Sequence, residues 1–214
     1  CFSRLKTLIV WNMEIDVKKI LSKCCNKLKH LELINVRLSD SLDNLEYELS
    51  SLIYLYFAMN SEDTVHSLRN LLSKCCRSLR TLKLSLHRNC TDMSTLLEQT
   101  TKIKELEISM TSIKNIADFL GKCPLVQKLS FHDVDFHKKV KVFVLRDLIN
   151  LELYDCNAKF MSKILKHSSK HSLRTVVINV YWTPEEVFEC KFPEISMLDR
   201  VVVHLHYVDD DEDD

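Results

Sequence analysis

The chain has 214 residues but only one glycine and three prolines. A glycine-rich loop that cradles phosphates is thereby excluded, because its tight turns need several residues free to adopt positive φ. Long apolar runs are missing too: none approaches the roughly 18 residues of a membrane-crossing helix, so no membrane partner is expected. There is no surplus of either charge, since 30 Lys and Arg balance 30 Asp and Glu. That balance hides an asymmetry. Residues 209–214 are all acidic, and the other 208 carry 30 basic residues against 24 acidic ones, a net +6. No long basic stripe or arginine-rich arm runs along the sequence, so no nucleic acid partner is expected either.

What is present suits a folded protein. Hydrophobic residues make up 46% and charged residues 28%, enough for a continuous core and too apolar for wholesale disorder. Leucine alone accounts for 33 residues. The nine cysteines include two adjacent pairs, Cys24–Cys25 and Cys75–Cys76, and no finger-like CxxC. An odd count without such spacing does not fit a secreted disulfide framework, and predicts reduced, buried thiols in the cytoplasm or nucleus. The chain starts at Cys1 with Leu5 already in a repeat, and reads as a fragment, monomeric by itself, of something longer.

One pattern organises the sequence. An apolar triplet at i, i+3, i+5 recurs nine times, as in Leu28–Leu31–Leu33, Leu79–Leu82–Leu84 and Leu148–Leu151–Leu153. The copies start at residues 5, 28, 52, 79, 103, 126, 148, 173 and 198, with steps of 22 to 27 residues. A period near 24 residues lies in the leucine-rich-repeat range. The last two triplet residues alternate with polar ones, as a short strand with one buried face requires. Each unit is too small to bury its own leucines, so neighbours must stack and share a core.

Between triplets the period shifts towards 3.6. Helices are expected from Val17 with Asp16 as N-cap, over 63–72, 93–97, 113–120 and 160–165, and from Pro184 with Thr183 as N-cap. The valine-rich stretch 132–147 predicts an extended back segment instead. Cys25, Cys76 and Cys123 each stand three residues before the next triplet, with Thr100 in the same place elsewhere. A small, weakly polar side chain there can pack under a helix end and reach a backbone carbonyl. The expected architecture is an α/β leucine-rich-repeat horseshoe over 1–208, with about nine strand–turn–helix units, a parallel concave sheet and convex helices. Residues 209–214 are expected to form an acidic, disordered tail.

The stretch Lys23–Cys24–Cys25–Asn26–Lys27–Leu28, its near copy Lys74–Cys75–Cys76–Arg77–Ser78–Leu79, and Lys122–Cys123–Pro124–Leu125–Val126 resemble the leucine-rich repeats of F-box proteins. The family's Cys or Asn eight residues after the first leucine is matched here by Asn60 and Cys156. The resemblance implies the substrate-binding arm of a cullin-RING ubiquitin ligase adaptor. A Skp-type adaptor and cullin would be engaged only through an F-box that these residues lack. The alternative is a non-ligase scaffold, inhibitor or sensor domain of the ribonuclease-inhibitor kind.

Binding residues are expected between the core positions of each strand, on the concave face. The first units offer Ile9, Trp11, Ile34, Tyr54 and Tyr56, whose aromatics combine large area with a polar handle. Lys83, Glu105, Glu107, Lys128 and Glu152 follow as a charged stretch, with Tyr154 beside them, suited to selecting a protein partner electrostatically. Nothing predicts an enzyme, a metal or a cofactor. His204–His206 and His167–His171 lack a third ligand at suitable spacing, and no carboxylate pair is placed for acid–base work. Asn89–Cys90–Thr91 matches a glycosylation pattern too short to carry weight.

Overall fold

The structure, a computed structural model, describes residues 2–38, 42, 45–59, 64–86, 92–136, 145–156, 164–165, 172–182 and 198–207. The triplets become strands: β1 (Thr7–Trp11), β3 (His30–Ile34), β5 (Tyr54–Met59), β6 (Thr81–Leu86), β7 (Glu105–Ile113), β8 (Lys128–Phe136), β9 (Asn150–Tyr154), β10 (Thr175–Trp182) and β11 (Arg200–Tyr207). They form one all-parallel sheet in chain order, while β2 (Glu14–Ile15) and β4 (Arg37–Leu38) pair in a second, two-stranded sheet. The register never slips. Leu8, Leu31, Leu55, Leu82, Leu106, Leu129, Leu151, Val176 and Val201 align across all nine strands.

A backbone ladder holds that register. In each unit the carbonyl just after the first triplet residue accepts two N–H groups from the next unit. Lys29 and His30 donate to Lys6 at 2.8 and 3.1 Å, and Lys104 and Glu105 donate to Arg80 at 2.7 and 3.0 Å. The same fork recurs at Lys29, Ile53, Lys104, Gln127, Ile149 and Arg174. The apolar side chains beneath it form a single core, where every triplet residue from Leu28 to Ile178 is at most 1% exposed. Burying each such Leu contributes about 1.5–3 kcal/mol.

The outermost units differ. Leu5, Leu8 and Leu198 are partly buried, and Val201 and Val203 are 52% and 42% exposed rather than core, because β11 has a neighbour on one side only among the described residues.

Three α-helices accompany the strands among the described residues: α1 (Val17–Cys24), α2 (Thr64–Cys75) and α3 (Ile116–Gly121). Asp16 caps α1 as expected, its carboxylate accepting the Lys19 N–H at 2.8 Å. The helix expected over 93–97 is instead a 3-10 turn, Met93–Thr95. Asp92 holds it tightly, accepting from the Ser94 N–H and hydroxyl and from the Asn115 amide at 2.9, 2.6 and 3.2 Å. Those hydrogen bonds, Ser94's foremost, keep the Asp92 carboxyl below its usual value.

The helix expected over 113–120 begins later, at Ile116, since Thr111–Ser112–Ile113 pairs with Val134–Asp135–Phe136 and so prolongs β7. Residues 132–136 are extended, but as the continuation of β8 in the main sheet, paired with β7, rather than as a back segment. Of 160–165 only Ile164 and Leu165 are described, and they are helical. Asp63, the rest of 132–147 up to residue 144, and the Thr183–Pro184 helix start lie outside the described residues.

Cys25 and Cys76 are buried under helix ends, with Sγ 3.8 and 3.7 Å from the carbonyls of Ser22 and Ser73. Cys123 is buried as well and accepts from the Thr101 hydroxyl at 3.5 Å. In the preceding unit Thr101, not Thr100, takes the inner place: it is 2% exposed and also donates to the Lys122 carbonyl. Cys156, eight residues after the first triplet residue, is buried with its thiol 3.8 and 3.4 Å from the Phe131 and Tyr154 carbonyls. Asn60 lies outside the described residues. The turn's left-handed step falls one residue before that position. Asn12, Asn35, Asp133 and Asp155, each seven residues after the first triplet residue, take φ of 49–51°. Asn and Asp tolerate this left-handed region best among residues other than glycine, which lets a chain with one glycine make the turn repeatedly.

Candidate functional site

Strand alternation sends the triplet residues towards the helices and the residues between them to the opposite face, which is helix-free among the described residues. Register then orders that face into three rows. The first runs Thr7, His30, Tyr54, Thr81, Glu105, Lys128, Asn150, Thr175 and Arg200. The second runs Ile9, Glu32, Tyr56, Lys83, Glu107, Ser130, Glu152, Val177 and Val202, and the third Trp11, Ile34, Ala58, Ser85, Ser109, His132, Tyr154, Asn179 and His204.

The expected apolar residues meet at the β1 end. Trp11 (64% exposed) neighbours half-buried Ile34 in the third row, and Ile9 (57% exposed) heads the second. Tyr56 is one strand further, separated from Ile9 by Glu32. Tyr54 stacks on His30, with ring centroids 4.0 Å apart and planes 6° from parallel. His30 is fixed in turn by Glu32 at 2.7 Å. Partial burial pushes the Tyr54 and Tyr56 hydroxyls above their usual values, so both remain neutral donors at physiological pH.

The charged stretch is a set of closed pairs rather than a field of one sign. Lys83 meets Glu107 at 2.7 Å, and that hydrogen bond holds its ammonium above the usual lysine value. Lys128 meets Glu152 at 2.8 Å, and the buried Ser130 hydroxyl donates to the other carboxylate oxygen at 2.7 Å. Burial acts to raise the Glu152 carboxyl, but the Lys128 and Ser130 hydrogen bonds outweigh it and leave it low. Exposed Glu105 accepts a 3.4 Å contact from the Thr81 hydroxyl. A depression of about 60 Å³ opens among Lys83, Glu105, Glu107 and Lys128, too small for more than one side chain.

Beyond the pairs, Tyr154 stacks on His132 at 4.2 Å and 7°. Burial lowers the His132 imidazole, against the pull of Glu107 and Glu152.

His30, Glu32, Ser130 and His132 contact these residues; the sequence places all four on the same face but does not single them out for binding. Their signal was present as an aromatic or charged residue in the same slot of the adjacent unit. Among the described residues no group of three or more His, Cys, Asp or Glu could hold a metal ion, and no helix is long and apolar enough to cross a membrane. His204 and His206 are both exposed on β11, while His167, His171 and Asn89–Thr91 lie outside the described residues.

No protein family and no curated protein matches the chain in sequence. Its structure is similar to that of internalin C2 from Listeria monocytogenes, with a TM-score of 0.53 and 18% identity over 94% of this chain and 82% of that one. The likeness shows the fold: an open, parallel, leucine-rich-repeat-like solenoid with associated helices.

Proposed function

We propose that the chain is a non-catalytic recognition scaffold of about nine strand–turn–helix units over 1–208, whose helix-free, concave face grips a protein partner. The observation that carries this reading is the exposure of Trp11 and Ile9 beside Ile34, Tyr54 and Tyr56, on a face whose charges are otherwise largely paired. Large aromatics at a fixed height bury area with little loss of rotamer freedom, and the rigid sheet sets their spacing in advance. Lys83, Glu105, Glu107, Lys128, Glu152 and Tyr154 then serve as a polar rim that excludes mismatched charge. Six described cysteines are free and buried, which suits a reducing compartment, cytoplasm or nucleus. The acidic tail 209–214 is read as a solubilising end.

The test is affinity capture from the source cells with the wild type, Trp11→Ala and Tyr56→Ala, all three checked for an unchanged circular dichroism melt. Proteins recovered by the wild type and lost with both variants support the reading, and equal recovery by all three overturns it.

A narrower reading, an F-box-type ligase adaptor, has the Lys–Cys–Cys stretches in its favour. It is tested by capture with the complete gene product. Co-recovery of a Skp-type adaptor and cullin supports it, and their absence leaves the non-ligase scaffold.

A further inference from the structure

The carbonyl fork that holds the register also lines up the side chains of the residues that make it. Lys6, Lys29, Ile53, Arg80, Lys104, Gln127, Ile149 and Arg174 form a row along the rim where the strands begin. At the spacing of paired strands the row is about 34 Å long. Arg4, Lys27 and Lys102, two residues earlier in their units, thicken it with further charge. Over the first five units these two positions hold no acidic residue. Acidic residues enter only at the far end, as Asp147 and as Asp199, which pairs with Arg174 at 3.9 Å.

Beside the row a recess of about 930 Å³ opens between the end of α2 and the starts of β3, β5 and β6. It is lined by Lys29, Ile53, Arg77 and Arg80, together with Lys74, which meets Glu48 at 3.8 Å.

The exposed apolar residues give the second observation. Ile9, Trp11 and Met13 belong to the first unit and Val201 and Val203 to β11. Among the described residues the other exposed large hydrophobics are Ile53 and Ile149, both in the row, Leu125, two residues before Gln127, and Phe2, in the 3-10 turn that precedes β1. Cations alone would suit any polyanion. Cations interleaved with aliphatic side chains at one level suit a surface that is negatively charged outside and hydrocarbon beneath.

We infer that this rim docks on an anionic phospholipid bilayer, with the lysines and arginines over the headgroups and Ile53, Leu125 and Ile149 entering the interface. The site is peripheral and needs no spanning segment. It goes beyond the expectation of no membrane partner, which rested on the lack of a membrane-crossing apolar run; the cations lie some 24 residues apart in sequence and are brought together by stacking.

The test is sedimentation of the full chain with vesicles of phosphatidylcholine alone and with about a third phosphatidylserine. The protein should sediment with the anionic vesicles only, and be released as salt approaches about 0.5 M. Lys29→Glu with Lys104→Glu should weaken partition by about fivefold or more for each position. Ile53→Ser with Ile149→Ser should weaken vesicle binding but leave retention on a heparin column unchanged. Trp11→Ala, on the other face, should bind vesicles like the wild type. Each variant is checked by circular dichroism.

Failure to sediment with anionic vesicles overturns the inference. So does vesicle binding insensitive to the isoleucine changes, which would mark a general polyanion site of the nucleic-acid kind. Loss of vesicle binding in Trp11→Ala also overturns it, and places the contact on the recognition face.

Discussion

Asn35 takes φ 51° and donates its N–H to the Ala58 carbonyl at 2.7 Å, so the turn after β3 depends on a conformation that most side chains resist. Asn35→Ala should cost about 1–2 kcal/mol, while Asn35→Gly should be close to neutral, and urea titration of the two variants checks the contrast. Core residues weigh more. Leu106, 1% exposed in the middle of the array, should cost about 2–5 kcal/mol when cut to Ala. Tyr56→Ala should leave the melt nearly unchanged, and an equal loss for both would mean the strand faces are assigned the wrong way round. His132 adds a pH dependence. Its folded value is depressed by burial, so the unfolded chain takes up a proton first, near pH 6.5. Its contribution is complete above that pH and is lost as pH falls towards the folded value. His132→Phe, which preserves a ring against Tyr154, should flatten this part of the stability profile in denaturant titrations between about pH 7.5 and about pH 5.5.

The strands carry the order of the molecule and the back segments vary. Amide hydrogen exchange should show this directly, with β5 to β8 protected to the limit of global unfolding and β11 exchanging sooner, because its Val201 and Val203 are exposed. The strands were legible in the sequence because Leu31, Leu33 and their counterparts mark a period of two that only one register satisfies. The back segments were harder. Met93, Leu96 and Leu97 have helical spacing, yet Asp92 draws the Ser94 N–H to its own carboxylate and the chain makes a single 3-10 turn. Ile113 likewise reads as the start of a helix, but its partner Phe136 draws it into β7. In both cases a local or cross-strand contact outweighed a propensity worth only tenths of a kcal/mol.

Seen whole, the molecule has two surfaces of different legibility. Those on the helix-free face could be listed from the sequence, since alternation alone assigns Ile9, Trp11, Tyr56 and Glu107 to it. How their charges combine could not, because Lys83 finds Glu107 and Lys128 finds Glu152 only once units 22 to 24 residues apart are side by side. The basic rim was invisible for the same reason. The carbonyl fork has one more consequence. Each unit restarts the count: whatever happens on the back, the next strand must present its two N–H groups to the same carbonyl before it can pair. Steps of 22, 23, 24, 25 and 27 residues therefore leave no trace in the sheet, where Thr7 through Arg200 stay level. An insertion error is corrected within one turn instead of accumulating along the array, and so the back segments are free to diverge in length and sequence while every residue of the recognition face keeps its place.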